Sequence, residues 1–381
     1  MDQQVLAYKK NAKEAAERLS LLWSRKAQDK IFAHMSVPTK TLTEFAANNV
    51  DGTTTYPDPK ERIKFWDSYL SEMADLEDDS LPIAYLSEFD QGVYAGALGA
   101  PMSYMMHKNV GWVSSMCPPI LDDLAHLDEF IAKHVGFLPG NDGPVRLPAL
   151  PGTIKLMDEQ VKIFADGARG KFGIAPFIVI DSMNFVSELR GATSSFEDTF
   201  DYPEQTKRLM DFAYDLNVFI QSRVQQATDT FMGGSFVNMG TWAPGNPILF
   251  SVDAYHLARP DFYYEWGEPH LQRLLDHFGG GLLHIHSNGR HLIEHVNSLR
   301  GLVCIYLLNE DWSIRAYDEL DRMKSLAGDV PILIDCRADE FERDMDAGKL
   351  PGNVLYKVTN LPSTNEANRL MGKVRKYLSK S

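Results

Sequence analysis

The last hundred residues constrain the fold most tightly. Short apolar runs at residues 302–308, 331–336 and 354–359 are separated by stretches with apolar residues at helical spacing, at 316–326 and 340–347. A parallel strand is reached only by a connection long enough to carry the chain back to the other end of the sheet. A strict strand–helix–strand order of this kind therefore predicts parallel strands with crossover helices. The run Leu282-Leu283-His284-Ile285-His286 belongs to the same series and breaks into Ser287-Asn288-Gly289. Strand side chains alternate between faces, so His284 and His286 project to one face.

Earlier apolar runs predict further strands at residues 82–86, 103–112, 172–180 and 233–239, which makes eight with the histidine strand and the last three. Helices are predicted at 121–134, at 203–227 with Pro203 in its first turn, and at 261–278, closed by Gly279-Gly280-Gly281. Helices at 291–299 and 365–378 complete the series. The first third reads as helical. Residues 14–35 carry Ala15, Leu19, Leu22, Trp23, Ile31 and Phe32 at helical spacing, and 60–73 forms a second helix. The acidic stretch 75–80 reads as a solvated turn. No Gly-rich dinucleotide fingerprint follows the first strand. The α/β pattern therefore favours a closed (β/α)8 TIM barrel over an open doubly wound sheet. The expected organisation is an N-terminal helical extension over 1–80 and a barrel over 81–381, as a single domain.

Composition narrows the function. A net charge of −14 and the lack of any basic stripe argue against nucleic acid and anionic membranes as partners. No run of eighteen apolar residues exists, and Met1-Asp2-Gln3-Gln4 lacks the pattern of a signal peptide. Cys117, Cys304 and Cys336 are too few and too scattered for a disulfide framework. These features predict a cytoplasmic protein with free thiols. The chain has no nucleophile elbow, no Walker loop and no G-x-G-x-x-G, which argues against kinase, nucleotide hydrolase and nicotinamide dehydrogenase readings.

Barrel enzymes place their chemistry at the C-terminal ends of the strands. There this chain offers Glu88, Asp181, Asn238, Met239, Trp242, His284, His286, Asn309, Glu310, Cys336 and Arg337. His284, His286 and Cys336 make three ligands for a zinc ion that keeps an open position, with Glu88 or Glu310 as a fourth. The plainer alternative is that the histidines hydrogen-bond their neighbours and Cys336 is a small buried apolar residue. Glu88, Asp181 and His286 are the candidates for acid–base work. Tyr85, Asn238, Met239, Trp242, Asn309 and Arg337 are the candidates for holding substrate, Arg337 because its fork suits a carboxylate. Asp253, Glu310 and Asp335 are further candidates for acid–base or ligand-orienting roles, with a cap of the following helix-rich region as the plainer reading of Asp253.

The run Ser251-Val252-Asp253, with Leu257-Ala258-Arg259-Pro260-Asp261-Phe262, Glu268-Pro269-His270-Leu271 and Leu283-His284-Ile285-His286-Ser287-Asn288-Gly289, resembles the uroporphyrinogen decarboxylase superfamily. The closest likeness is to its branch of corrinoid-dependent methyltransferases, with further similar segments at Leu98-Gly99-Ala100, Leu189-Arg190-Gly191 and Asp201-Tyr202-Pro203-Glu204. The resemblance spans roughly residues 80 to 378 and implies a (β/α)8 barrel. It implies zinc held by a His-x-Cys pair on the fifth strand and a further cysteine near the last, and methyl exchange with a corrinoid on a partner protein. Here His284 keeps the first position, His286 stands where the cysteine is expected, and the last strand offers Thr359 and Asn360. The arginine-rich motif of the true decarboxylases is absent.

The leading expectation is a methyltransferase that moves a methyl group from a small methylated substrate to a corrinoid (cobalamin) partner protein with zinc assistance. A cofactor-free decarboxylase or lyase and a non-catalytic ligand-binding homologue are the alternatives. A second copy of the chain, as a homodimer, is a further candidate partner.

Overall fold

The computed structural model describes residues 6–134, 150–238 and 240–379. In chain order its strands are β1 (Ile31–Met35), β2 (Gly52–Thr54), β3 (Ile83–Tyr85), β4 (Ser103–His107), β5 (Trp112–Met116), β6 (Gly173–Ala175) and β7 (Gly234–Val237), then β8 (Thr241–Pro244), β9 (Ile248–Ser251), β10 (Gly281–Ile285), β11 (Leu302–Leu307), β12 (Ile332–Arg337) and β13 (Val354–Thr359). Six of them form one parallel sheet in the order β1-β13-β12-β11-β10-β9. β3 and β6 pair in parallel beside it. The fold is α/β, with crossover helices such as Glu268–Phe278, Leu320–Ala327 and Ala338–Asp346 between successive sheet strands. Glu268–Phe278 stops where Gly279 turns left-handed at φ 75°, a conformation that suits glycine.

Both faces of the sheet are buried, and strand alternation divides its residues between two cores. Leu283, Ile285, Ile305, Leu307, Ile332, Ile334, Val354 and Tyr356 pack under the crossover helices. Phe32, Leu249, Leu282, Cys304, Leu333 and Leu355 pack on the opposite face. That second core is closed by the helix Ala12–Trp23 and by the β7–β8 hairpin, whose Trp242 carbonyl accepts a 2.7 Å hydrogen bond from Trp23 Nε1. Two residues further along each strand, the same face carries polar side chains, among them Ser251, His284, Tyr306, Asp335 and Lys357.

The outer edge of β1 is satisfied by carboxylates rather than by a strand. Asp79 Oδ2 accepts the Ala33 amide at 2.9 Å, Asp78 Oδ2 accepts the Met35 amide at 2.6 Å, and the Asp79 amide donates to the Ala33 carbonyl at 3.0 Å. Lys9 pairs with Asp78, and Arg18 Nε lies 2.5 Å from Asp79 Oδ1. At the other edge, the Val179 amide donates to the Leu249 carbonyl of β9 at 2.8 Å. Both edges of the six-stranded sheet thus meet chain that flanks the β3–β6 pair.

Several sequence expectations change here. The helical stretch 14–35 ends at Trp23 and its last five residues are β1, a sheet strand, because Ile31-Phe32-Ala33 alternates between the two cores. The acidic stretch 75–80 is not a solvated turn, since Asp78 and Asp79 are fully buried. The strand at 103–112 is an antiparallel hairpin, β4 with β5, in a small sheet with β2. The strand at 233–239 is half of another hairpin that turns back through Gly240 at φ 71°. The fourth parallel strand is instead β9.

Replacing Asp79 with alanine leaves the Ala33 amide unpaired and the Arg18 guanidinium with only the Ile31 carbonyl, at 3.0 Å, as a hydrogen-bond partner among the described residues. We expect Asp79→Ala to lower unfolding free energy by about 3 kcal/mol in urea titrations. A loss below about 1 kcal/mol would mean that other groups hold this edge.

Candidate functional site

β9 and β10 place the site. Register pairs Ser251 with His284, and alternation carries the same face on to Asp253 and His286, one step past each strand. His286 keeps extended backbone (φ −73°, ψ 163°), so its ring stays on the His284 side. Asp253 opens the short helix Asp253–Leu257 without capping it, which leaves its carboxylate free to face the histidines.

One oxygen, Asp253 Oδ1, faces three imidazole nitrogens: His284 Nε2 at 3.6 Å, His286 Nε2 at 3.7 Å and His256 Nδ1 at 3.7 Å. These separations are too long for hydrogen bonds. They match co-ligands instead, because two atoms each about 2.1 Å from a tetrahedral metal lie about 3.4 Å apart. Asp253, His284 and His286 each offer one ligand atom within 4.8 Å of the others, a possible metal-binding group. Asp253 Oδ1, the atom that faces the imidazoles, is buried without a hydrogen-bond partner among the described residues; His284 Nδ1 and His256 Nε2, the nitrogens turned away from it, are unpaired as well. Orphaned buried polar atoms are costly unless something else meets them. The donor set of one carboxylate and two imidazoles fits a divalent metal.

The surrounding electrostatics reinforce that arrangement. Burial alone would raise the Asp253 carboxyl, but the neighbouring imidazoles, His284 foremost, pull it down to about 2. Burial lowers His256 to about 4, with His286 and His284 adding to the effect against the attraction of Asp253. His256 therefore stands neutral against Asp253. Gly289 lets it fit, since a Cβ there would lie 2.1 Å from the His256 ring. Glu310 orients His286 from behind: its Oε1 lies 2.5 Å from His286 Nδ1, and its Oε2 accepts the Ser287 amide at 2.9 Å. A carboxylate on the far nitrogen fixes the imidazole tautomer and aims Nε2 at the site.

Asp181 and Glu188 form a second feature nearby. Asp181 caps the helix Ser182–Arg190 by accepting the Met183 and Asn184 amides at 2.9 Å each, while its other oxygen is buried and unpaired. Burial, with Asp253 adding to it, raises Asp181 to about 8. Asn184 links this helix to Ser251 Oγ at 3.2 Å. Burial first, then Asp90 and Asp181, raise Glu188 to about 8 as well.

The structure brings together His284, His286, Asp181 and Asp253 from the sequence candidates, with His256 added. It sets the others apart. Cys336 alternates to the helix side of β12, where it is buried in the core beneath the helices. Burial, then Glu340 and Asp335, hold its thiol well above the ordinary range, which opposes the thiolate a metal needs. Glu88 is locked in a buried ion pair with Arg62 Nε at 2.5 Å, and Gln160 holds its other oxygen at 2.7 Å. Asn309 Oδ1 braces Arg290 at 3.0 Å and the Ala316 amide at 2.7 Å. Arg337 is half exposed and pairs with Glu340 at 3.1 Å. Asn238 is buried in the β7–β8 turn, and Trp242 is packed in the second core with the helix Ala12–Trp23. Met239 lies outside the described residues. Tyr85 is not set apart: it is buried, with its ring edge-on to Trp112 at 5.2 Å and its hydroxyl beside Asp90, a carboxylate that in turn interacts with His284. The sequence offered Asp253 as a candidate carboxylate but did not place it with the histidines, because β9 is only four residues long. The run Ile248-Leu249-Phe250-Ser251 after Gly245-Asn246-Pro247 was the available signal for a strand ending at Asp253.

A scan against protein-family models matches none, and a search of curated proteins finds no similar sequence.

Glu310→Gln should weaken zinc binding about ten- to a hundredfold in chelator-competition titrations, since His286 loses its orienting carboxylate. Unchanged affinity would remove Glu310 from the site. Glu188 gives a pH signature. Folded protein keeps its proton up to about pH 8, while an unfolded chain releases it near the ordinary 4.5. Stability must therefore fall as pH rises through this window. Glu188→Gln should flatten that decline by up to about 1.4 kcal/mol per pH unit in urea denaturation. Parallel slopes for the two proteins would contradict it.

Proposed function

We propose that this chain is a closed (β/α)8-barrel enzyme that removes a methyl group from a small methylated compound and passes it to a corrinoid carried by a partner protein. Zinc held by Asp253, His284 and His286 would assist. The observation that carries the reading is the convergence of one carboxylate and two imidazoles, at co-ligand spacing, on the C-terminal ends of adjacent parallel strands. Closure is supported by the hydrogen bonds that lead from both sheet edges to the chain around β3 and β6. The resemblance to corrinoid-dependent methyltransferases supplies the reaction class.

The ligand set adjusts that class. A pair of thiolates suits activation of a thiol, whereas one carboxylate and two imidazoles suit harder donors. We infer an oxygen- or nitrogen-bound methyl group in the donor. The metal, when bound, would act as a Lewis acid that makes the demethylated product a better leaving group. The residues of the chain prepare for this. Glu310 fixes the His286 ring, and the carboxylate of Asp253 stays ionised across the physiological range. His256 backs Asp253 without adding charge.

A decarboxylase or lyase that works without metal is the second reading. Asp181 favours it, since a buried carboxyl raised to about 8 holds a proton at neutral pH and has an oxygen with no partner. Metal analysis separates the two. We expect about one zinc per chain, reduced to background in Asp253→Ala, His284→Ala and His286→Ala and retained in Cys336→Ala. We further expect zinc-loaded protein to convert cob(I)alamin to methylcobalamin with methyl ethers or methylamines as donors. Zinc retained in all three ligand variants, or turnover by zinc-free protein, would overturn the reading.

A further inference from the structure

The face that carries His284 continues sideways into a second polar group. His284 is the register partner of Tyr306 on β11. Tyr306 Oη donates to Asp335 Oδ2 on β12 at 3.1 Å. Asp335 is the register partner of Lys357 on β13, and Lys357 Nζ donates to Tyr306 Oη at 3.3 Å with Asp335 Oδ1 at 3.7 Å. Four adjacent strands thus carry an unbroken polar row on the face opposite the crossover helices.

Tyr306 and His284 in this row are buried, whereas Lys357 and Asp335 at its other end are partly exposed. Leu355, two residues before Lys357, is fully buried, as are Leu282, Cys304 and Leu333 at the same level. Lys357 is in an interior strand of the sheet, yet its side chain is 35% exposed, with Asp335 at 27% and His286 at 39%. The Lys357 side chain is therefore part-exposed at the level where the face turns polar, toward the strand C-termini.

Its chemistry is that of a fixed cation. Tyr306 first, against the lowering effect of burial, and then Asp335 push its pKa above the ordinary lysine value, so it does not serve as a neutral amine nucleophile. An ammonium has three donors. Among the described residues one hydrogen bond is made, to Tyr306, and the Asp335 contact is longer than a hydrogen bond. Donors remain for a ligand.

We propose that Lys357, held by Tyr306 and Asp335, anchors a carboxylate of the substrate whose methyl-bearing end lies at Asp253, His284 and His286. The inference rests on the proposed function for that far end and adds the substrate class: a small methylated carboxylic acid. Adjacent strands lie about 4.8 Å apart, so the three steps from β10 to β13 set a span on the order of 10–14 Å along the sheet, less across a curved one.

The test compares methoxyacetate, 4-methoxybutanoate and 6-methoxyhexanoate with their uncharged amides, by calorimetric titration of the full chain. At least one of the longer acids should bind about ten- to a hundredfold tighter than its amide, the range expected for a charge-assisted hydrogen bond. Lys357→Met should abolish that preference and leave amide binding and zinc content unchanged. Lys357→Arg should retain it. Equal binding of acids and amides by the unaltered protein, no binding of any acid, or an unchanged preference in Lys357→Met would overturn the anchor. The same titration on Asp253→Ala separates the two proposals. A carboxylate preference that persists without metal or methyl transfer supports the anchor while the proposed chemistry fails.

Discussion

Burial of both faces of one parallel sheet governs everything else in this molecule. Apolar burial is worth roughly 25 cal/mol per Å2, and the sheet collects it twice, beneath the crossover helices and beneath the helix Ala12–Trp23. Alternation then leaves no freedom about where a side chain goes. A residue in β10 joins one core or the other according to its parity. His284 and His286 share the parity of Leu282, so the packing that buries Leu282 also directs both imidazoles to the face opposite the helices. The same rule sends Asp335 to that face and Cys336 away from it.

The second core is apolar only at the level of Leu249, Leu282, Cys304, Leu333 and Leu355. One level further along the strands the face becomes polar. Function can occupy this layer because its stability cost is met by the packed layer below. The polar groups are not left to water. Asp253 faces three imidazoles, Glu310 fixes His286, and Tyr306 joins Asp335 to Lys357. Each charge has a counterpart, yet Asp253 Oδ1 and His284 Nδ1 keep no hydrogen bond. An unmet carboxylate oxygen facing three imidazoles is what distinguishes a prepared binding group from a settled ion-pair network.

Much of the fold was legible because the later strands are cleanly punctuated. β13 falls on the expected residues, and β10, β11 and β12 differ from expectation by a residue or two at their ends. The early strands were not, for different reasons. β1 follows a helix with only a short break, and Ile31-Phe32 falls at positions that also fit helical spacing. The hairpins β4–β5 and β7–β8 contain strand-like runs whose antiparallel partners cannot be told from a parallel crossover by composition. Asp78 and Asp79 look like a solvated turn until their Lys9, Arg18 and β1 partners, distant in sequence, are in place.

The sequence by itself determined the strand–helix alternation of the last third, the pair of histidines on one strand face, and the absence of nucleotide-binding and nucleophile motifs. These are local properties, fixed by spacing and backbone geometry. Only the tertiary structure decided which carboxylate meets the histidines. A strand buried on both faces carries apolar residues at every position, so its sequence does not disclose which parity faces the site. Asp253 in place of Cys336, and Lys357 beside Tyr306, follow from strand register, which pairs residues tens of positions apart and is set by packing.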